Sequence, residues 1–199
     1  FYNQIIERIE SLPGVRAAGV TSVLPFSGNF DGRGLAVETR PKPRGEEISV
    51  DLYIATPGYL RAMGIPLLEG WTFNEQDVEA TPFVAVVNKT MADNLWPNED
   101  ALGKRIKFPG SDRRPQPWRT VVGVVSDVAQ YGLDRKPPMQ LYLPETQFPT
   151  SFMTLVVRTG SEPAAMTAAI RNEILAVDKD QAVFKIATME QLMTDSISL

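Results

Sequence analysis

The sequence predicts an α+β protein in two lobes: an α/β lobe formed by both chain ends, residues 1–65 and 148–199, and a β-rich lobe, residues 66–147, inserted between them. Three observations predict it. Helical periodicity is concentrated towards the two ends, where apolar residues recur every three or four positions. Between about residues 66 and 147 the pattern changes to short extended runs, joined by proline- and charge-rich connections. The 199 residues, 43% apolar and 22% charged, also suffice to bury a sizeable core without disulfide staples.

The opening "FYNQIIERIESLPG" places Tyr2, Ile5, Ile6, Ile9 and Leu12 on one helical face, and Pro13-Gly14 stops it. "VRAAGVTSVLP" (15–25) reads as a strand and runs into the glycine-rich loop "FSGNFDGRG". Leu35, Val37 and Thr39 alternate with polar or small neighbours, as do Ile48, Val50, Leu52 and Ile54 after the turn "RPKPRGEE". Two period-2 runs about such a turn predict an antiparallel pair. "TPGYLRAMG" (56–64) is a compact helix signal built on Pro57, Gly58 and Tyr59. Thr56 is its expected N-cap, Pro57 its first residue and Gly64 its end.

"IPLLEGWTF" is then extended, with Gly70 before the aromatic Trp71. "FVAVVN" (83–88) is a strand, "KTMADNLW" a helix, and Pro97 the stop. Asn88 is the expected cap, and Gly103 turns the chain into the basic strand "GKRIKF". "WRTVVGVVSDV" and "MQLYLPE" continue the strands, and Gly123 is expected where two backbones approach closely. The last third reads strand "FMTLVVRTG" (152–160), then a helix from Ser161 as N-cap with Met166, Ile170, Ile174 and Val177 as its buried stripe. "QAVFKIA" is expected to be a further strand. In "TMEQLMTDSISL", Thr188 and Gln191 stand at capping-box spacing, and Met189, Leu192, Met193 and Ile197 share one face.

Composition excludes several chemistries. A net charge of −4 with scattered Lys and Arg offers no basic face for nucleic acid. Cysteine and histidine are both absent, which removes thiol nucleophiles, imidazole bases and Ser-His-Asp triads from this chain. It also disfavours zinc and copper sites. No cofactor is expected. The glycines of "GNFDGRG" lack the spacing of a phosphate-binding loop, and neither Ser-x-x-Lys nor Gly-x-Ser-x-Gly occurs. No apolar run approaches the roughly 18 residues of a membrane-spanning helix. The chain opens at Phe1 inside a helical pattern with no leader-like segment, so it is expected to be a piece of something longer.

The polar candidates have bland readings beside their sharp ones. Glu46-Glu47 and Glu99-Asp100 have the chemistry for acid–base work or a hard cation, but both sit in predicted turns where solvated charge is expected. Asn88, Lys89, Glu99, Asp100 and Lys104 fall where caps, turns and strand edges want them. "NKT" at 88–90 matches the weak N-glycosylation pattern. The cations of "DRR" and "WR" near 112–119 are expected at a hairpin tip as a solubilising edge. For Phe26, Phe30, Trp71, Tyr131 and Phe148 a core role is the default; Phe26, Phe30, Trp71 and Tyr131 are also candidate partner contacts.

Taken together, "RIESLPGVRAAGVTSVLPFSG", "IATPGYLRAMGIPLLEGWTFNEQD", "VAVVNKTMADNLWPNEDALGKRIKF" and "WRTVVGVVSDVAQYGLDRKPPMQLYLP" resemble the MacB-like periplasmic core domain of the MacB/FtsX family of ABC transporter permeases. The closing "TMEQLMTDSISL" resembles the lead into that family's next membrane helix. The resemblance implies an extracytoplasmic domain of an inner-membrane protein, placed between two membrane helices. It implies a porter-like lobe from both ends and an inserted Sabre-like β-rich lobe, with Pro57, Gly58, Tyr59, Gly64, Gly70, Asn88, Pro97, Gly103 and Gly123 as scaffold and no catalytic residue. The family's usual strand upstream of the first helix lies before residue 1, which implies one unpaired sheet edge. Implied partners are the chain's own membrane helices, a cytoplasmic ABC ATPase domain or subunit, a second permease copy and a periplasmic partner protein. The implied function is mechanical: ATP hydrolysis inside moves these lobes outside, driving export, substrate release or partner activation.

Two other readings compete. An extracytoplasmic ligand- or peptide-binding module without a transport role needs a concave site with a few convergent polar groups. A carboxylate hydrolase needs two acidic side chains facing each other across a cleft.

Overall fold

The computed structural model describes residues 1–39, 48–110, 115–132 and 135–197. Along the chain these form α1 (Tyr2–Glu10), β1 (Val15–Thr21), β2 (Gly32–Val37), β3 (Ile48–Ala55), α2 (Gly58–Met63), β4 (Leu67–Gly70) and β5 (Val84–Asn88). There follow α3 (Lys89–Leu95), β6 (Arg105–Lys107), β7 (Arg119–Val125), β8 (Gln140–Pro144), β9 (Thr154–Thr159), α4 (Pro163–Val177) and α5 (Met189–Ile197). The protein is therefore mixed α+β.

The nine strands among the described residues belong to one sheet, ordered β2-β6-β7-β5-β8-β3-β1-β9, with β4 on β7. Because β2 also pairs with β3, the six strands from β2 to β3 close into a ring. The β2–β3 hairpin is antiparallel, from Gly32 opposite Asp51 to Leu35 opposite Ile48. Two pairs are parallel, β3 with β8 and β5 with β7, and β3 meets β8 over five residues from Asp51 to Ala55. Hydrogen bonds thus run directly between strands of the chain's outer and middle segments.

Strand parity sorts the core into two sides. Every ring strand sends side chains to one apolar cluster, among them Val37, Leu52, Val87, Ile106, Val121 and Leu141, so that cluster is the ring interior. Helix α3 closes it with Met91 and Leu95, followed by Trp96. The alternate residues Tyr53, Ala55, Val84, Val86 and Tyr142 pack outward against Tyr59, Leu60 and Ala62 of α2. Strands buried on both faces read as near-continuous apolar runs, as "VAVV" does in β5. A third cluster joins Ile5 and Ile9 of α1, Ala18 of β1 and Ile174 of α4, braced outside by an Arg8–Glu173 ion pair at 2.7 Å.

Three local expectations are corrected. Thr56 does not cap α2, since its Oγ1 accepts from Val20 N at 2.9 Å and Pro57 takes the cap position. Ser161 does not cap α4; Glu162 stands there and makes no side-chain cap bond. Residues 181–187 are not a strand. Their alternation is present, but a ladder needs a partner, and β9 bonds only to β1 among the described residues. Phe184 and Ile186 accordingly stay exposed, at 81% and 53%. The Thr188/Gln191 box forms in both directions, Thr188 N to Gln191 Oε1 at 2.8 Å and Gln191 N to Thr188 Oγ1 at 3.1 Å.

Candidate functional site

The densest polar constellation lies where β5 ends and α3 begins. Asn88 is wholly buried, and its Oδ1 accepts from Met91 N at 3.0 Å, capping α3, and from Gln140 N at 2.9 Å. Its Nδ2 faces three acceptors: Asp127 Oδ1 at 2.6 Å, Pro138 O at 2.9 Å and Gln140 Oε1 at 3.2 Å. Asp127 also accepts from Thr90 N and Thr90 Oγ1, so it serves the helix N-terminus as well. A side chain so enclosed is inaccessible to a glycosyl group.

The network extends through Gln140, whose Nε2 donates to Val128 O at 3.1 Å and Tyr53 Oη at 3.2 Å. Tyr53 donates on to Gln130 Oε1 at 2.7 Å, and Gln130 Nε2 reaches Leu24 O and Asn29 O. Tyr131 donates to Asp51 Oδ2 at 2.5 Å. These bonds fasten the loop between β7 and β8 to the sheet and to the glycine-rich loop. Burial pushes the Tyr53, Tyr59 and Tyr142 phenols well above their ordinary value, so this side is a dry polar lock. Sequence reasoning missed Gln140, Asp127 and Gln130. A glutamine opening the apolar run "QLYLP" was the available signal.

The other charged candidates are paired at the surface. Lys89 meets Asp93 at 2.9 Å, Lys104 meets Glu99, and Asp100 Oδ1 accepts from Leu102 N at 2.8 Å. No group of three or more potential metal ligands occurs among the described residues. Glu46, Glu47 and the cations at 112–114 lie outside them. Arg119 corrects the expectation of a solubilising edge. It is 3% exposed, its guanidinium 5.0–5.5 Å from the ring centres of Phe83, Phe108 and Phe148. Burial lowers its pKa to about 10. Its long stem fits the apolar neighbours, and the rings offer the cation their negative faces.

The residues expected as scaffold fall at junctions. Gly58 and Tyr59 are buried at the start of α2, where a Cβ on Gly58 would stand 2.0 Å from Ala18 O. Gly64 ends that helix at φ +70°. A Cβ on Gly70 would meet Val122 O at 2.1 Å, and one on Gly123 would meet Trp71 O at 2.2 Å, so β4 and β7 approach too closely for side chains there. Pro97 is exposed just after α3, and Gly103 is an open turn at φ +78°.

The aromatics divide. Phe148 packs on the ring core and Phe26 is half-buried, whereas Phe30, Trp71 and Tyr131 are 68%, 57% and 41% exposed, which corrects the core expectation for those three. A cleft of about 340 Å³ opens between β4 and α3, with Leu68, Glu69, Asp93, Trp96 and Val124 in its walls.

Among the described residues, no helix is long and apolar enough to cross a membrane. The chain resembles the macrolide export ATP-binding/permease proteins MacB of Neisseria gonorrhoeae and Neisseria meningitidis, at 33% identity over 82 residues. That stretch is 41% of this chain and only 12% of those relatives' length. The fold matches the periplasmic region of MacB from Actinobacillus actinomycetemcomitans with TM-score 0.63 and 16% identity, over 100% of this chain and 83% of that one. It also matches the extracellular domain of the noncanonic ABC-type transporter YknZ from Gram-positive bacteria, with TM-score 0.57 and 18% identity over 90% and 83% of the two chains. Residues 2–173 match the family described as the MacB-like periplasmic core domain, and the chain belongs to that family.

Proposed function

We propose that this chain is the extracytoplasmic part of an ABC transporter permease, and that it converts cytoplasmic ATP hydrolysis into movement outside the membrane. The movement drives export, substrate release or activation of a partner. Membership of the MacB-like family over residues 2–173 carries this reading. Its physical support is stiffness: a closed strand ring, strands buried on both faces and a polar lock at Asn88 make a body that transmits displacement with little internal give.

In this reading residues 1–65 and 148–199 form the porter-like part next to the membrane, and residues 66–147 form the outer β-rich part. The separate apolar cluster of α1, β1 and α4 supports a part built from both chain ends, while β2 and β3 share the ring core with residues 85–143 and couple the parts through the β3–β8 ladder. The working partners are the membrane helices, a cytoplasmic ATPase, a second permease copy and a periplasmic protein that contacts Phe26, Phe30, Trp71 or Tyr131.

The test places spin labels on the exposed residues Glu79 and Lys179 of the whole permease, reconstituted with its ATPase in liposomes. Distances between the two copies should change between the nucleotide-free and vanadate-trapped states, while the distance between labels within one copy stays fixed. Unchanged distances between copies in both states would rule the coupling out.

A further inference from the structure

We propose that the outer edge of β4 and the cleft beside it bind an extended, basic segment of a protein partner. The segment adds a strand to β4 and sets its basic side chains against Glu69 in the cleft wall.

Two independent observations meet here. Strand β4 pairs only with β7 among the described residues, and all four of its residues are exposed. Leu67 and Leu68 are 44% and 46% exposed, and Glu69 is the one charged side chain on this four-residue strand. The cleft beside it is acidic: Glu69, Asp93 and Glu99 stand in its walls against Lys89 alone. Asp93 is neutralised by Lys89 and Glu99 by Lys104, while Glu69 makes no ion pair with a described residue. The wall residue Trp96 is 2% exposed, so its ring serves as a reporter of anything seated in the cleft.

An exposed strand edge offers backbone donors and acceptors in a row, which an extended chain satisfies and a compact small molecule leaves unmatched. The Glu69 carboxylate, in no ion pair with a described residue, selects lysine or arginine on the arriving strand, and the exposed leucines select apolar neighbours. The inference goes beyond mechanical coupling and is tested without ATP, so the two readings fail separately.

The experiment uses the ¹⁵N-labelled 199-residue chain and three eight-residue probes: alternating Leu-Lys, alternating Leu-Glu, and the Leu-Lys peptide N-methylated at alternate amides. The three tryptophan indole signals are assigned with Trp96→Phe and Trp71→Phe. The Leu-Lys peptide should shift the Trp96 indole and the amides of residues 67–70 saturably, and Glu69→Lys should weaken it about tenfold with circular dichroism unchanged. The Leu-Glu and methylated peptides should bind at least about tenfold more weakly. Equal binding of the Leu-Glu peptide overturns the charge argument, and equal binding of the methylated one overturns strand addition. Shifts confined to other surfaces overturn the site.

Discussion

Asn88 and Gln140, fifty-two positions apart, bond to each other twice: Gln140 N donates to Asn88 Oδ1 at 2.9 Å, and Asn88 Nδ2 donates to Gln140 Oε1 at 3.2 Å. The pair joins the end of β5 to the start of β8 and holds the α3 cap in the same geometry. Asn88→Ala removes the cap and leaves several buried groups unpaired, so it should cost about 3 kcal/mol in urea unfolding. Asn88→Asp keeps the Oδ1 acceptor but turns an oxygen towards three acceptors, so it should cost at least as much at neutral pH. An Asp variant within about 0.5 kcal/mol of the parent, the scatter of ordinary surface substitutions, would contradict the lock.

Gly123 and Gly103 separate steric from conformational cost. A Cβ at Gly123 collides with the Trp71 carbonyl, whereas one at Gly103 meets nothing within 4 Å and suffers only its φ of +78°. Gly103→Ala should cost about 1 kcal/mol. Gly123→Ala should cost more, and it should also disturb the amide signals of β4. The reverse ranking in thermal melts would show that β4 yields readily.

Arg119 should be more valuable for its volume than for its charge. Arg119→Ala leaves a hole among Phe83, Phe108 and Phe148 and should cost about 2–4 kcal/mol. Arg119→Met refills it without a desolvated cation and should recover most of that loss. If Met is as damaging as Ala, the cation itself is what the rings hold.

Alkaline pH should unfold the chain through its buried phenols. Tyr53, Tyr59 and Tyr142 are held protonated above the ordinary value of 10.0, while the unfolded chain ionises there. The folded state then binds more protons than the unfolded one, so stability falls as pH rises above 10. Phenolate absorbance from these three should grow only in step with loss of circular dichroism. Free titration of all five tyrosines in the folded protein would refute the dry lock.

Glu145 acts in the same direction at lower pH. Burial raises its carboxyl above the ordinary 4.5, so the folded state holds a proton that the unfolded state releases. Its contribution should decline as pH rises from 4.5 through the folded value, and Glu145→Gln should flatten that part of the stability profile.

Some contacts within a few residues were readable in advance, although Thr56 and Ser161 do not make the caps their positions suggest, and most contacts across the chain were not. The Thr188/Gln191 box spans three positions, so its spacing alone announces it. Arg119, beside the loop "PGSDRRPQP", reads as one more surface cation until Phe83, Phe108 and Phe148 arrive from three other segments. Residues 181–187 show the opposite error, since alternation describes what a strand would bury and says nothing of whether a partner is present to pair with.

By itself the sequence determined the kinds of element outside residues 181–187, the two apolar faces of the hairpin strands and the lack of any imidazole or thiol chemistry. These follow from side-chain periodicity and residue type, which are local properties. Only the tertiary structure decided that β2 closes the ring by meeting both β3 and β6, that Gln140 finds Asn88, and that Trp96 is left with a buried unpaired N–H beside an open edge. Those outcomes depend on many segments packing at once into one volume, and no stretch of the chain carries that information alone.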